Sequence, residues 1–422
     1  MFRALQTRNY RLYFFGQAAS LIGTWMQQVA LSWLIYRLTN SEFLLGLTAF
    51  ASQIPSLIVT PLAGALADRM NRHKLLIVAQ VLAMIQAFLL AGLTLSGAID
   101  VVDIILLGIL LGVINALDMP TRQAFLLEMV EKPENLSNAI ALHSSVMNAA
   151  RLVGPALAGA AIALFGEGMC FLVNAVSYIA VIIALFMMRV SPRPRAAHKA
   201  PLLAHMQEGF RYAFGFSPIR ALILYIGAVS LVGMPYVVLM PVFAKNILHG
   251  DAQTLGWLMG AAGFGALVAA LLLARRKRVL GLGQWILTAS GIFGLGLIAF
   301  SFSRSLPLSL VIIAFVGFGM MIQLGATNII LQTIVDEDKR GRVMSLFTMA
   351  FLGLAPFGSL LAGSLGEKIG VPTTLLLSGV LCLLAALWLF IQLPKLKREA
   401  RPVYVAKGII DEVPAPIPDS KS

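Results

Sequence analysis

The sequence predicts an all-α integral membrane protein with twelve transmembrane helices arranged as two pseudo-symmetric six-helix bundles. Three observations lead there. Of the 422 residues, 59% are hydrophobic and 12% charged, and the mean hydropathy is +0.86; a water-soluble domain carries about a quarter charged residues. Apolar runs recur at close to the ~20-residue length that crosses a bilayer. Lys and Arg are spread very unevenly over the connections between those runs.

The runs fall at 12–36, 44–67, 75–95, 104–121, 138–165 and 168–188, then at 219–244, 254–274, 280–303, 306–332, 343–366 and 371–393. The first is preceded by Arg3, Arg8 and Arg11. It is too long for a signal-peptide core and lacks a convincing cleavage site, so it reads as a retained helix. With both chain ends on one side, all but five of the 32 Lys and Arg residues lie on that side or in its loops. Arg37, Lys245, Arg304 and Lys368 lie opposite, and Arg151 lies within a span. The positive-inside rule then puts both termini in the cytoplasm, with a plasma membrane as the expected location, the inner one in a bacterium.

The net charge of +13 would raise nucleic acid as a partner in a soluble protein. Here topology accounts for it, and the expected partners are the lipid bilayer and a small molecule, with the chain a monomer. Cys170 and Cys382 sit inside apolar spans and behave as small hydrophobes. The five histidines show no metal-ligand spacing, so neither metal nor cofactor is expected. No GxxxxGK[ST] phosphate loop occurs, which leaves an ion gradient as the energy source for any pumping.

The longest connection, 189–217, opens with RVSPRPRAAHK and continues as the amphipathic LLAHMQEGFRYAFGF, a linker followed by a surface helix. It divides a first bundle, 1–188, from a second, 218–394; the tail 395–422 is expected to be disordered. An internal repeat supports the division. GPALAGAAIALFG at Gly154–Gly166 and GSLLAGSLGEKIG at Gly358–Gly370 share five identities in thirteen positions, in the fifth span of each half.

The loop after the second span reads GALADRMNRHK, with Gly64, Asp68, Arg69, Asn71 and Arg72. An acid in an otherwise basic inner loop is what an ordinary loop does not explain, and Asn71 suits a left-handed turn. This loop resembles the signature of the major facilitator superfamily, with Asn71 replacing a glycine. The resemblance implies that Asp68 meets the start of the eleventh helix, where a carboxylate is favoured by the helix dipole, and latches an outward-facing state. The fourth span ends in NALDMPTRQAFLLEMV, which puts Asn115, Asp118 and Arg122 on one helix face. A carboxylate near the membrane needs a partner, and Arg122 or Arg72 is the candidate. That run resembles the branch of the superfamily containing enterobactin and macrolide exporters.

In the fifth span Ser144, Asn148, Arg151 and Pro155 share a face within ARLVGPALAG. The Gly154–Pro155 pair resembles the superfamily's antiporter motif. Arg151, the lone cation within a span, either contacts an anionic group of a solute or pairs with Asp118. The first span carries the polar stripe Gln17, Ser20, Thr24, Gln28 and Ser32; the seventh carries Tyr225, Tyr236 and Met240, and the tenth Met320, Gln323 and Thr327. Such residues line a wet cavity or glue helices together; around a central pathway they suit amphipathic solutes.

The resemblance implies secondary active transport, with proton-coupled export of drugs or siderophores by alternating access favoured; because the first span carries no acid, Asp118 is the candidate for the carboxylate whose protonation releases a charge-pair latch. A metabolite carrier of the same fold, for instance for a sugar, is the alternative. From another class, a membrane-embedded enzyme is disfavoured by the missing catalytic motifs.

Overall fold

The structure, a computed structural model, describes residues 3–130, 133–189, 202–276 and 278–410; the side chains at 61, 62, 64, 65, 67–69, 127, 133 and 202–207 also lie outside the description. The long helices of the first half are α1 (Arg8–Thr39), α2 (Glu42–Arg69), α3 (Arg72–Leu95), α4 (Val101–Met129), α5 (Leu136–Phe165) and α6 (Glu167–Phe186). A short helix, α7 (Leu202–Gly215), follows. The second half holds α8 (Ser217–Val232), α9 (Tyr236–Val242), α10 (Ala252–Arg275), α11 (Leu282–Phe302), α12 (Leu306–Ile334), α13 (Arg340–Ile369) and α14 (Val371–Ala406).

Eleven spans among the described residues are long and apolar enough to cross a membrane, with α8, α9 and the π-helical turn Phe243–Ile247 counting as one. The twelfth is α1, 32 residues long but diluted by its Gln, Ser and Thr residues. Large apolar side chains such as Phe15, Leu164, Phe186, Phe302 and Ile391 point outward, the arrangement lipid favours and water does not.

Several helix starts are fixed locally. Asp100 and Asp251 close capping boxes at the heads of α4 and α10, and Ser41 accepts from the Leu44 amide at the head of α2. Gly166 and Gly370 have positive φ, 80° and 83°, which lets one residue end α5 or α13 and start the next helix. The repeat is therefore structural: α5 and α13 each span 30 residues and end on the repeated glycine.

Within the first half, α1 packs on α5 and α6, α3 on α4 and α6, and α2 on α4; within the second, α10 and α11 pack on α12, α11 on α14, and α8 on α13 and α14. The halves meet mainly where α2 crosses α13 and α5 crosses α10. Both crossings are built on glycine. A Cβ on Gly46 would lie 2.5 Å from the Ser359 carbonyl, and one on Gly363 2.5 Å from that of Glu42. In the other crossing, a Cβ on Gly256 would lie 2.5 Å from the Pro155 carbonyl, and one on Gly159 2.9 Å from that of Ala252. Gly159 and Gly363 are among the repeat identities, and Gly46 and Gly256 are each the fifth residue of their helices. One backbone-to-backbone contact is thus used twice.

The structure departs from the sequence reading in three places. Asn71 is extended, at φ −70° and ψ 109°, and caps α3 through its side chain on the Lys74 amide; capping an otherwise orphaned amide wins over the left-handed turn. The seventh span is broken at Gly233–Pro235 between α8 and α9, because Pro235 lacks the amide that would continue the ladder. Finally, α14 runs to Ala406, through residues expected to be disordered, stabilised by burial of Leu396 and Ala400 and a Lys395–Glu399 pair one turn apart. The linker residues 190–201 and the tail beyond 410 lie outside the described residues.

Candidate functional site

Asp118 is buried on α4, and the helix supplies its partner: Arg122, one turn on, forms an ion pair with Oδ2. From α3, Gln80 Nε2 donates to Asp118 Oδ1 at 2.6 Å. Tyr13 of α1 is hydrogen-bonded to Arg122, Tyr178 of α6 lies within reach of the pair's charges, and Tyr13 stacks on His143 of α5 with ring centroids 6.2 Å apart. Side chains of α1 and α3 thus meet the Asp118–Arg122 pair of α4, with α5 behind Tyr13. Arg72, the other candidate, bonds Glu128 at the end of α4 at 3.0 Å. The loop signature cannot be placed in the same way, because the side chains of Gly64, Asp68 and Arg69 lie outside the described residues.

Arg151 does not pair with Asp118. Its guanidinium sits 5.3 Å from the ring centroid of Trp25 on α1, and Tyr236, the first residue of α9, is close enough to feel its charge. The backbone around it is tightly held. A Cβ on Gly154 would lie 2.5 Å from Trp25 Cβ, and one on Gly263 of α10 2.8 Å from the Arg151 carbonyl. Pro155, buried in α5, turns its carbonyl to Gly256. The antiporter-like motif is therefore a packing element that sets Trp25 against Arg151 on one side and α10 on the other.

The polar stripe of α1 is split. Gln17 and Ser20 are buried, and Gln17 Oε1 has no hydrogen-bond partner among the described residues; Thr24 and Gln28 are exposed. The stripe lies about 200° around the helix from outward-pointing Phe15, on the side of α1 turned away from it. Asn115 is exposed and Asn148, half-buried, bonds the Ser144 carbonyl in its own helix. Tyr225 and Gln323 do meet, but in a closed network: the Tyr225 hydroxyl bonds both Ser290 and Gln323, all three buried, and Gln323 Nε2 donates to the Gly319 carbonyl. The break after α8 separates Tyr225 from Tyr236, which packs edge-on against Phe293.

Sequence reasoning missed a buried amide cluster. Asn174 donates to Gln27 at 2.8 Å, Gln27 to Gln86 at 3.3 Å, and Gln86 to the Leu107 carbonyl. Asn174 in an apolar span was the available signal. It also missed the polar contacts at the end of the bundle opposite the chain termini. There Glu367, at the end of α13, accepts from Ser41 Oγ at 2.7 Å and from the Phe43 amide at 2.9 Å, placing a carboxylate on the head of α2. Lys245 reaches Asn40 Oδ1 at 2.7 Å and Asn246 reaches the Tyr36 hydroxyl at 2.6 Å. These bonds join the two halves. Arg37 and Glu167 tie α1 to α6 within the first half through two parallel bonds.

Two six-helix halves, crossed glycine-on-glycine at one end and sharing an internal repeat, are matched over residues 1–408 by the family described as transmembrane secretion effector. The chain belongs to the major facilitator superfamily of transporters. Among superfamily members it is 27% identical over 393 residues to the staphyloferrin A transporter of Staphylococcus aureus, covering 92% of this chain and 98% of that one. It is 27% identical to the multidrug efflux pump Tap of Mycolicibacterium fortuitum, covering 92% and 96%, and 25% identical to macrolide efflux protein A of Streptococcus pyogenes, covering 90% and 95%. The same fold is seen in a bacterial homolog of the human lysosomal transporter Spinster in an inward-facing, unoccupied conformation, with a TM-score of 0.73 at 16% identity over 97% of this chain and 99% of that one. It is also seen in the human organic anion transporter MFSD10, with a TM-score of 0.64 at 14% identity over 90% and 99%.

Proposed function

We propose that this major facilitator protein exports amphipathic small molecules in exchange for protons, by rocking its two halves, 1–188 and 218–394, about a central site. The reading is supported by the Asp118–Arg122 pair, a buried titratable group held between helices of one half. Protonation of Asp118 removes the charge that holds Arg122 and weakens its bond from Gln80, so it biases how α1, α3 and α4 pack. Export agrees with the efflux names of several relatives. The basic face carrying both termini is then cytoplasmic, and the glycine crossings with the Glu367 contacts close the outward side. Asp68, on the opposite face, is the counterpart that holds the other state.

The test uses the full chain, as a monomer, in proteoliposomes loaded with a fluorescent lipophilic cation or a labelled macrolide. An imposed pH gradient is expected to accelerate flux, and Asp118→Asn to abolish the acceleration while leaving downhill flux. Gradient-driven flux at the wild-type rate in Asp118→Asn would remove Asp118 from the coupling step. No gradient response with either solute would overturn proton-coupled export of these solutes.

A further inference from the structure

We propose that Arg151 is the recognition point for a carboxylate on the transported molecule, so that the protein accepts amphipathic organic anions. This rests on the transport reading and deepens it by naming the substrate class.

The argument starts from cost. A guanidinium inside a membrane-spanning bundle is unfavourable unless an anion or a set of acceptors compensates it. Arg122, which the apolar run leaves just outside its span but which α4 carries inside it, has a carboxylate. Arg151 has none: no acidic side chain or hydrogen-bond acceptor among the described residues meets its guanidinium, which lies over the Trp25 ring with Tyr236 close enough to feel its charge. An aromatic face attracts a cation but leaves the N–H groups of the fork without acceptors. A carboxylate fits that fork with two parallel bonds, which an ammonium at the same place could not match. The rings beside it suit an aromatic or aliphatic body attached to the carboxylate.

Location gives the charge a role in transport. Trp25 belongs to the first half, Tyr236 to the second, and the Arg151 backbone lies on the α5–α10 crossing against Gly263. An anion held there touches both halves at once, so its binding depends on their relative position. Differential affinity for the two positions is what lets a ligand move an equilibrium.

The experiment measures equilibrium binding to the full chain in nanodiscs, without any gradient, using 1-pyrenebutyrate and the matched cation (1-pyrenebutyl)trimethylammonium. Energy transfer from tryptophan reports binding; Trp25→Phe identifies the local donor, and empty nanodiscs give the partition background. Wild type is expected to bind the carboxylate about tenfold more tightly than the ammonium. Arg151→Gln should lose that preference while retaining ammonium binding, and Arg151→Lys should retain part of it, charge without the fork. If Arg151→Gln does not purify as a monodisperse species, Arg151→Lys carries the test: an undiminished preference there overturns the bidentate assignment. An unchanged preference in Arg151→Gln, or none in wild type, overturns the proposal. A carboxylate preference without gradient-driven flux would sink the export reading and leave this one standing; driven flux of the cation without the preference would do the reverse.

Discussion

Asp118 and Glu367 show how single carboxylates acquire meaning from their surroundings. Both are acids on long helices, yet one is buried beside a guanidinium and the other bonds the head of a helix from the opposite half. Glu367→Gln keeps a side-chain acceptor but removes the charge that favours the α2 N-terminus. Spin labels at the ends of α1 and α13 should report a few-fold rise in the fraction of molecules whose halves are separated there. An unchanged distance distribution would show that the glycine crossings alone hold this end. The Asp118–Arg122 pairing was legible, because charges at one-turn spacing beside an apolar run stand out. Glu367 was not, because nothing local distinguishes it from an ordinary loop acid.

At the scale of elements, the two glycine crossings are the most constrained surfaces. Gly256→Val would drive a side chain into the Pro155 carbonyl, which backbone cannot yield cheaply; overpacking of this kind costs about 1–3 kcal/mol. The expected outcome is separation of α5 and α10, read as a lost disulfide crosslink between cysteines introduced at Ala160 and Gln253. Crosslinking at the wild-type rate would mean that the helices slide to accommodate the valine.

The short helix α7 offers an electrostatic test outside the spans. Glu208 bonds Lys339 at 2.5 Å and Arg342 at 2.7 Å, and Tyr212 bonds Asp336 at 2.9 Å, so α7 docks on the start of α13. Hydrogen bonds from Lys339 and Arg342 hold the Glu208 carboxyl below its usual range, and bonds to Glu208 and Asp338 raise the Lys339 ammonium. Glu208 therefore contributes to docking above its unfolded pKa and loses the contribution as pH falls through its depressed value. Lys339 contributes below its unfolded pKa and loses it as pH rises through its raised value. Docking should persist across neutral pH and release on acidification past the carboxylate range, measured as increased mobility of a spin label on α7. Glu208→Gln should flatten that acid limb; a label equally immobile at acid pH would place the docking energy in apolar contacts instead.

For the whole molecule, lipid as solvent explains most of what was readable. Span number, the surface helix and the repeat follow from hydropathy and length along one dimension, and the repeat includes Gly159 and Gly363, which form the crossings. Boundaries were less legible: α14 continues to Ala406 because Leu396 and Ala400 find buried places, which depends on neighbours. The sequence by itself determined the solvent, the number of spans and which charges are out of place. Only the tertiary structure decided partners. Gln80 meets Asp118 across 38 residues and Glu367 meets Ser41 across 326, while Tyr225 is absorbed into a closed network and Arg151 is left over the Trp25 ring. The reason is that helices in lipid form from local backbone bonding, which sequence encodes position by position, whereas polar side chains are satisfied by whichever distant helix packing brings within reach.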